Sequence, residues 1–192
     1  MRLFDIILSL LGILFCLPFF LFVYLISIIF QPGSALFFQK RVGRDEKRFT
    51  LLKFRTMKPE TESVGTHRIN PCQVTAWGRL LRSSKIDELP QLLNVLKGDM
   101  SIVGPRPCLP TQRKLIACRR KLRVFDARPG ITGLAQIRGI DMSKPELLAQ
   151  TDADMIRTRG TKKYFEIIFL TLLGRGQGDR LNKVSTRQIS QK

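Results

Sequence analysis

The sequence contains few residues of the kinds that build metal centres. It has one histidine, His67, and its four cysteines, at positions 16, 72, 108 and 118, form no CxxC pair. Zinc sites are normally built from closely spaced cysteines and histidines, so the sequence argues against a zinc centre. We interpret the cysteines as free thiols in a reducing compartment and His67 as a solvent-exposed side chain.

Acidic residues are also scarce. The 192 residues include 15 Asp and Glu against 33 Lys and Arg, which gives a formal net charge of +18 at pH 7. Such an excess indicates a polyanionic partner, and a nucleic acid, an anionic membrane surface or a phosphorylated substrate would each qualify. The length suits one compact domain, and 44% hydrophobic residues are enough to build a core.

One long apolar run opens the chain. Residues 3–30 are almost uncharged, and the run exceeds the roughly 20 residues that cross a bilayer. Because no small-residue cleavage site follows, we expect a permanent anchor. Pro18, near the middle, predicts a bend. Composition leaves two topologies open: a kinked spanning helix, or a re-entrant hairpin with both ends in the cytoplasm, which the basic residues on both flanks suit.

The rest of the chain alternates short apolar runs with polar turns. Strands are predicted at residues 35–39, 48–57 and 100–103, and helices at 75–82, 87–97, 109–123, 143–157 and 164–173. Ser143 is the predicted N-cap of its helix, with Glu146 as the capping-box partner. Residues 128–133 are predicted to form a turn. The 164–173 run is too short to span a bilayer and suits a helix in the membrane interface.

Two adjacent carboxylates, Asp87 and Glu88, stand at the predicted start of the leucine-faced helix, with Pro90 in its first turn. The local pattern has two interpretations. Asp87 can be a plain capping residue. Alternatively, the helix N-terminus and nearby cations keep Asp87 ionised at neutral pH as a nucleophile, while Glu88 holds a divalent cation.

Basic residues lie close to this pair in the sequence or at rigid turns. Arg82 shortly precedes Asp87, Arg106 lies between two prolines, Arg128 precedes a Pro-Gly turn, and Lys53 lies in the second predicted strand. Guanidinium groups presented by rigid turns suit bidentate binding of phosphate. Each of them, taken singly, is equally well explained as a solvated surface charge.

Taken together, these segments resemble a known family. The run LLRSSKIDELPQLLNVLKGDMSIVGPRP, residues 80–107, resembles the signature of the bacterial sugar transferases, also called monotopic phosphoglycosyl transferases. The resemblance continues in RLFD (2–5), QKRVG (39–43), KFRTM (53–57) and RPGITGLAQ (128–136). It covers residues 2–140, with a looser match to 173.

The resemblance implies an activity. A phospho-sugar would pass from a UDP-sugar, for which we expect an N-acetylated amino sugar, to undecaprenyl phosphate, with release of UMP, as the first membrane step of glycan assembly. Asp87 would attack the β-phosphate and carry the phospho-sugar covalently. Glu88, together with Asp87, would hold Mg²⁺. The phosphates would be positioned by four basic residues: Lys53, Arg82, Arg106 and Arg128.

The expected fold is α+β and mostly helical. We divide the chain into a re-entrant membrane helix at residues 1–32, a catalytic domain with a small β element and interfacial amphipathic helices at 33–173, and a mobile polar tail at 174–192. The resemblance places the catalytic domain on the cytoplasmic face of the bacterial inner membrane, against anionic lipid. The sequence leaves open whether the protein forms a homodimer.

A membrane-tethered nucleic-acid-binding module is the alternative from another class of protein. The net charge and the basic 109–123 segment favour it. However, the segment lacks interleaved aromatic residues, and the chain contains no known nucleic-acid-binding motif. We therefore expect an enzyme with no nucleic-acid partner.

Overall fold

The computed structural model describes residues 1–59 and 73–176, so His67 and Cys72 lie outside the described residues, as does most of the predicted tail. The α-helices in the described part are α1 (Arg2–Phe30), α2 (Ala76–Ser83), α3 (Gln91–Lys97), α4 (Arg113–Lys121), α5 (Leu134–Ile137), α6 (Pro145–Arg157) and α7 (Thr161–Leu172). The strands are β1 (Leu36–Val42), β2 (Arg48–Phe54), β3 (Ser101–Val103) and β4 (Gly130–Thr132). The prediction of a mostly helical α+β fold is confirmed.

The first helix, α1, is long and apolar enough to cross a membrane, and its assignment runs through Pro18 without a break. One side of it is bare, and Leu14 and Phe15 are 68% and 88% exposed. Its other side contacts the rest of the chain, where Val23 is buried. The helix therefore has a covered side and an uncovered apolar side.

The N-terminal end of α1 is bonded to the rest of the chain by charged side chains. Arg2 donates from Nη1 to the carbonyl of Val95 at 2.7 Å and from Nη2 to that of Leu96 at 3.0 Å. These carbonyls lie in the last turn of α3, where a cation is stabilised by the helix dipole. The buried carboxylate of Asp5 accepts a hydrogen bond from the hydroxyl of Tyr164 at 2.8 Å.

The C-terminal end of α1 contacts the same body of residues. The indole N–H of Trp77 donates to the buried hydroxyl of Ser27 at 2.9 Å. Just past the helix, the side-chain amide of Gln31 donates to the carbonyl of Met57 at 2.8 Å. Both ends of the apolar helix are thus attached to residues that follow it in the chain.

The first two strands form an antiparallel hairpin, with Leu36 opposite Phe54 and Val42 opposite Arg48. β1 continues beyond the predicted end at residue 39, because its antiparallel pairing with β2 runs on to Val42 opposite Arg48. The outer edge of β2 pairs with a side chain, since the amide of Asn94 donates to the carbonyl of Thr50 and accepts from the N–H of Leu52.

The other two strands form a parallel pair, and β4 was missed by the sequence prediction, which assigned residues 128–133 to a turn. A Cβ atom on Gly104 would lie 2.5 Å from the carbonyl oxygen of Arg128. A Cβ on Gly130 would lie 2.0 Å from the nitrogen of Gly104. Only glycine allows the two backbones to approach this closely. Gly104 and Gly130 therefore mark a close contact between two chain segments and not merely a turn.

The leucine-faced helix differs from its prediction in two ways. It begins at Gln91, so Asp87 is not its N-cap. Its buried face consists of Gln91, Asn94 and Val95, whereas Leu93 is 49% exposed. The leucine side of α3 is therefore not the side that forms the core.

The predicted capping box at residues 143–146 is also wrong. Helix α6 begins at Pro145 and its N-cap residue is Lys144. The hydroxyl of Ser143 instead donates to the carboxylate of Asp141, which is a local turn contact that competes with helix capping. Proline in the first turn still sets the start of the helix, as predicted.

Candidate active site

The two adjacent carboxylates lie in a short 3₁₀ turn, Ile86–Glu88, between α2 and α3. Lys85 enters this turn with a left-handed φ of 58°, which reverses the chain after α2. Asp87 is buried, with 7% of its surface exposed. Since α3 starts only at Gln91, the capping interpretation of Asp87 does not hold.

The ionisation of Asp87 differs from our expectation. The pKa of its carboxyl is raised from 3.8 to about 7, mainly by burial and further by the neighbouring charge of Glu88. Three basic groups oppose this rise, namely Lys53, Arg82 and Arg106. The expected stabilisation of the anion by a helix N-terminus is absent because the pair precedes the helix. Desolvation therefore outweighs the surrounding cations.

Glu88 forms an ion pair with Arg106, the arginine that lies between two prolines. Arg106 donates from Nη2 to Oε1 of Glu88 at 2.8 Å, and the two side chains are 21% and 15% exposed. The turn that carries Arg106 follows β3 directly, so the short strand positions the guanidinium beside the acidic pair. The structure thus brings together two groups that the sequence motif placed far apart.

Two further arginines hold this turn in place, and sequence analysis gave neither a role. Arg119 donates from Nη1 to the carbonyl of Arg106 at 2.8 Å, and Arg41 donates from Nη1 to that of Pro107 at 2.9 Å. Arg119 is also bonded to Asp152 at 2.7 Å, and these two side chains are 2% and 1% exposed. Arg41 lies in the QKRVG segment that carries the resemblance, but Arg119 has no local signal.

The remaining basic residues around Asp87 approach from β2 and α2. Arg82 donates from Nε to the hydroxyl of Thr56 at 2.8 Å. Its Nη1 is buried and has no hydrogen-bond partner among the described residues. Lys53 lies over the ring of Phe37, 5.3 Å from its centroid. The free donor on Arg82 is suited to an oxygen of a bound ligand.

The fourth predicted phosphate-binding residue, Arg128, lies elsewhere. It donates from Nε to the carbonyl of Gly98 at 3.0 Å and lines a separate cleft beside Val103 and Tyr164. It is not among the groups that shift the pKa of Asp87. The site therefore gathers Lys53, Arg82 and Arg106, but not Arg128.

A model of the bacterial sugar transferase family matches residues 1–175. The chain belongs to this family. The resemblance found in the sequence is confirmed, and the sugar transferase is an enzyme of the phosphoglycosyl transferase kind. Membership favours this activity over the nucleic-acid-binding alternative.

Three relatives illustrate the similarity. The Bacillus subtilis uncharacterized sugar transferase EpsL is 45% identical over 140 residues, which cover 72% of this chain and 68% of EpsL. A Caulobacter vibrioides UDP-glucose:undecaprenyl-phosphate glucose-1-phosphate transferase is 41% identical over 151 residues, covering 74% and 57%. A putative undecaprenyl-phosphate N-acetylgalactosaminyl 1-phosphate transferase of B. subtilis is 43% identical over 112 residues, covering 57% and 62%. The matched regions thus span between 57% and 68% of the length of these relatives.

The acidic pair of the sugar transferase has donor atoms of the kind that fit a divalent cation. In residues 1–59 and 73–176, no three Asp, Glu, His or Cys side chains are grouped to hold a metal. Mg²⁺ usually takes one or two carboxylates and completes its shell with phosphate oxygens and water. The pKa of Asp87, raised partly by the charge of Glu88, indicates that a cation between the two carboxylates would be favourable.

Proposed function

We propose that this sugar transferase moves a phospho-sugar from a UDP-sugar to undecaprenyl phosphate through a covalent intermediate on Asp87, with release of UMP. The observation that carries the proposal is the pair of buried Asp87 and half-buried Glu88, with the charges of Lys53, Arg82 and Arg106 acting on Asp87. Two relatives are named as undecaprenyl-phosphate transferases, one of them as putative, and this supports the acceptor. The Caulobacter name supports a UDP-linked donor.

The reaction has two displacements at one phosphorus atom. A carboxylate oxygen of Asp87 attacks the β-phosphorus of the donor, and the bond from that phosphorus to the bridging oxygen breaks, so UMP leaves. An oxygen of undecaprenyl phosphate then attacks the same phosphorus, and the bond to Asp87 breaks. The carboxylate is regenerated, and the product is a lipid-linked diphosphate sugar. A covalent intermediate lets a soluble donor and a membrane-bound acceptor use one site in turn.

The basic residues supply alignment and charge neutralisation, which are the main requirements of phosphoryl transfer. The unpartnered Nη1 of Arg82 and the guanidinium of Arg106 are suited to bind phosphate oxygens. Glu88 orients Arg106 and, with Asp87, would hold Mg²⁺. Bound with the donor, Mg²⁺ would neutralise phosphate charge and favour the ionised carboxylate.

For the donor we propose only the class of sugar that is linked to UDP. We expect an N-acetylated amino sugar, but the names of the relatives include both glucose and N-acetylgalactosamine. A screen of UDP-sugars with undecaprenyl phosphate in detergent, with UMP as the readout, would identify the donor. Faster UMP release from UDP-glucose than from any N-acetylated donor would overturn our choice.

We also propose that residues 1–32 form a re-entrant anchor and that the catalytic domain, 33–173, lies on the cytoplasmic leaflet. The attachment of both ends of α1 to the same domain supports this topology, because a spanning helix would separate its ends by roughly 30 Å of hydrocarbon. The bare apolar side of α7, with Phe169 61% and Leu172 80% exposed, supports contact with the interface.

The decisive experiment withholds the acceptor. Enzyme, Mg²⁺ and UDP-sugar should release at most one UMP per site and add one phospho-sugar, which mass spectrometry should locate on Asp87. Asp87→Asn should give neither, and Glu88→Gln should be severely impaired. Asp99→Asn, a carboxylate outside the site, is the matched control and should behave like the wild type. UMP release that requires lipid phosphate and leaves no adduct would instead favour direct attack by the lipid.

A further inference from the structure

A second concave site lies on the described surface. It is bordered by the end of β3, the start of the turn that carries Arg106, the C-terminal end of α6 and the first turns of α7. Its empty space, about 370 Å³, includes open solvent, so it is a shallow surface cleft and not an enclosed cavity.

The rim of this cleft has charge of one sign. Arg128, Arg159 and Lys163 line it, and no Asp or Glu is among the lining residues. Among the described residues, none of the three forms an ion pair with a carboxylate; Arg128 and Lys163 bond to a neutral carbonyl and a neutral hydroxyl, respectively. Gly160, which also lines the cleft, is the N-cap residue of α7, and no side chain caps this end of the helix. The rim therefore offers cationic donors, with first-turn N–H groups beside them, to an anion.

The wall of the cleft is apolar. Val103, Pro105, Met155 and Ile167 line it and are buried. Tyr164 closes one side, with its hydroxyl bonded to Asp5 at the start of α1. A ligand that fits must therefore combine a negative group with apolar surface.

The cleft lies where the bare apolar surface of the protein meets its polar body. Phe4 of α1 and Phe165 of α7 are in edge-to-face contact, with ring centroids 5.3 Å apart. Phe165 and Phe169 are 41% and 61% exposed, and Leu3 is 66% exposed. These residues continue the apolar surface from the membrane helix to the first turns of α7, next to Lys163.

We propose that this cleft binds the phosphate headgroup of an anionic glycerophospholipid. The cationic rim would receive the phosphate, and the acyl chains would run over Phe165 and Phe169. None of the groups around Asp87 that we assign to phosphate binding lines the cleft, so its occupant is not the lipid that reacts. The bound lipid would hold the first turns of α7 and the start of α1 at the level of the headgroups.

The test measures binding of dihexanoyl phosphatidylglycerol to the full chain in neutral detergent, without UDP-sugar, by calorimetry. Binding therefore does not depend on the chemistry at Asp87. Arg159→Gln/Lys163→Gln should weaken it by roughly thirtyfold, given the contribution of basic residues near anionic lipid. Arg157→Gln/Lys162→Gln removes the same charge from adjacent positions outside the cleft and should change Kd by less than about threefold.

Two comparison ligands test the identity of the bound molecule. Dihexanoyl phosphatidylcholine and inorganic phosphate should both bind more weakly than phosphatidylglycerol, because each lacks either the net charge or the chains. Arg159→Glu, on an exposed side chain, gives a second variant if the double variant is unstable, and it should also weaken binding. Equal loss in the cleft and control variants, equal binding of inorganic phosphate, or stoichiometric displacement by undecaprenyl phosphate would each overturn the proposal.

Discussion

The buried guanidinium of Arg119 donates a hydrogen bond to the backbone carbonyl of Arg106 at 2.8 Å. Arg106 uses its own guanidinium to bind Glu88 at 2.8 Å. Asp152 completes the arrangement by accepting two hydrogen bonds from Arg119, at 2.7 and 3.1 Å. A buried ion pair between α4 and α6 thus fixes the turn that presents the arginine of the site.

We expect Arg119 to be a positioning residue, and stability and activity should separate in its variants. Arg119→Met should lower the free energy of unfolding by about 3–5 kcal/mol, because Asp152 stays buried without its partner. Arg119→Met/Asp152→Val should recover much of that stability, since an apolar pair can replace a buried ion pair. Its kcat/KM should nevertheless stay at least roughly tenfold low, because the bond to Arg106 is still missing. Wild-type kcat/KM in a stable double variant would show that the pair is purely structural.

Arg106 itself should not tolerate replacement by lysine. Lysine keeps the charge but loses the planar pair of donors, so kcat/KM for the UDP-sugar should fall by roughly 10- to 100-fold. Arg113→Lys, at an exposed position of α4, provides the matched control and should leave UMP release unchanged. Near-normal kcat/KM for Arg106→Lys would contradict the assigned role.

The raised pKa of Asp87 predicts a pH-dependent stability. Because the folded protein binds this proton more tightly than the unfolded chain, stability decreases as pH rises from 3.8 to about 7 in the absence of metal. Asp87→Asn removes that loss. It should therefore raise Tm at pH 8 by at least a few degrees and change it by less than about 2 °C at pH 4.

The control for this prediction is Asp99→Asn, which removes a carboxylate outside the site and should not reproduce the rise in Tm at pH 8. Adding Mg²⁺ and UDP-sugar at pH 8 should stabilise the wild type more than Asp87→Asn, because the carboxylate is then used. An Asp87→Asn variant that is no more stable than the wild type at pH 8 would argue against a raised pKa.

The topology of α1 can be tested by cysteine labelling. Cys16, Cys72, Cys108 and Cys118 are first replaced, and single cysteines are then placed in an extension before Met1 or at Ser34. A re-entrant helix predicts that a membrane-impermeant maleimide labels both from the cytoplasmic side alone. Periplasmic labelling of the N-terminal cysteine would indicate a spanning helix. Pro18→Ala should shift the N-terminal cysteine toward periplasmic labelling, because it restores the helix hydrogen bond and favours a straight helix.

Local patterns predicted elements well where neighbours in sequence are also neighbours in space. The apolar run of α1, the hairpin strands and the glycine that ends α3 follow from hydropathy, alternation and backbone freedom. The start of α3 was wrong because Ile86–Glu88 forms a separate turn, which periodicity cannot distinguish from a first helical turn. β4 was missed because Gly130 serves a close contact with the distant backbone of Gly104.

The sequence by itself determined the family, the long apolar N-terminal helix, the acidic pair and the arginine held between two prolines, because each of these is a short motif or a compositional run. The tertiary structure alone decided that Arg119 holds Arg106 and that Arg128 lies in a separate cleft. It also decided that burial sets the pKa of Asp87. These properties depend on desolvation and on contacts between residues far apart in the chain, and neither is encoded in local spacing.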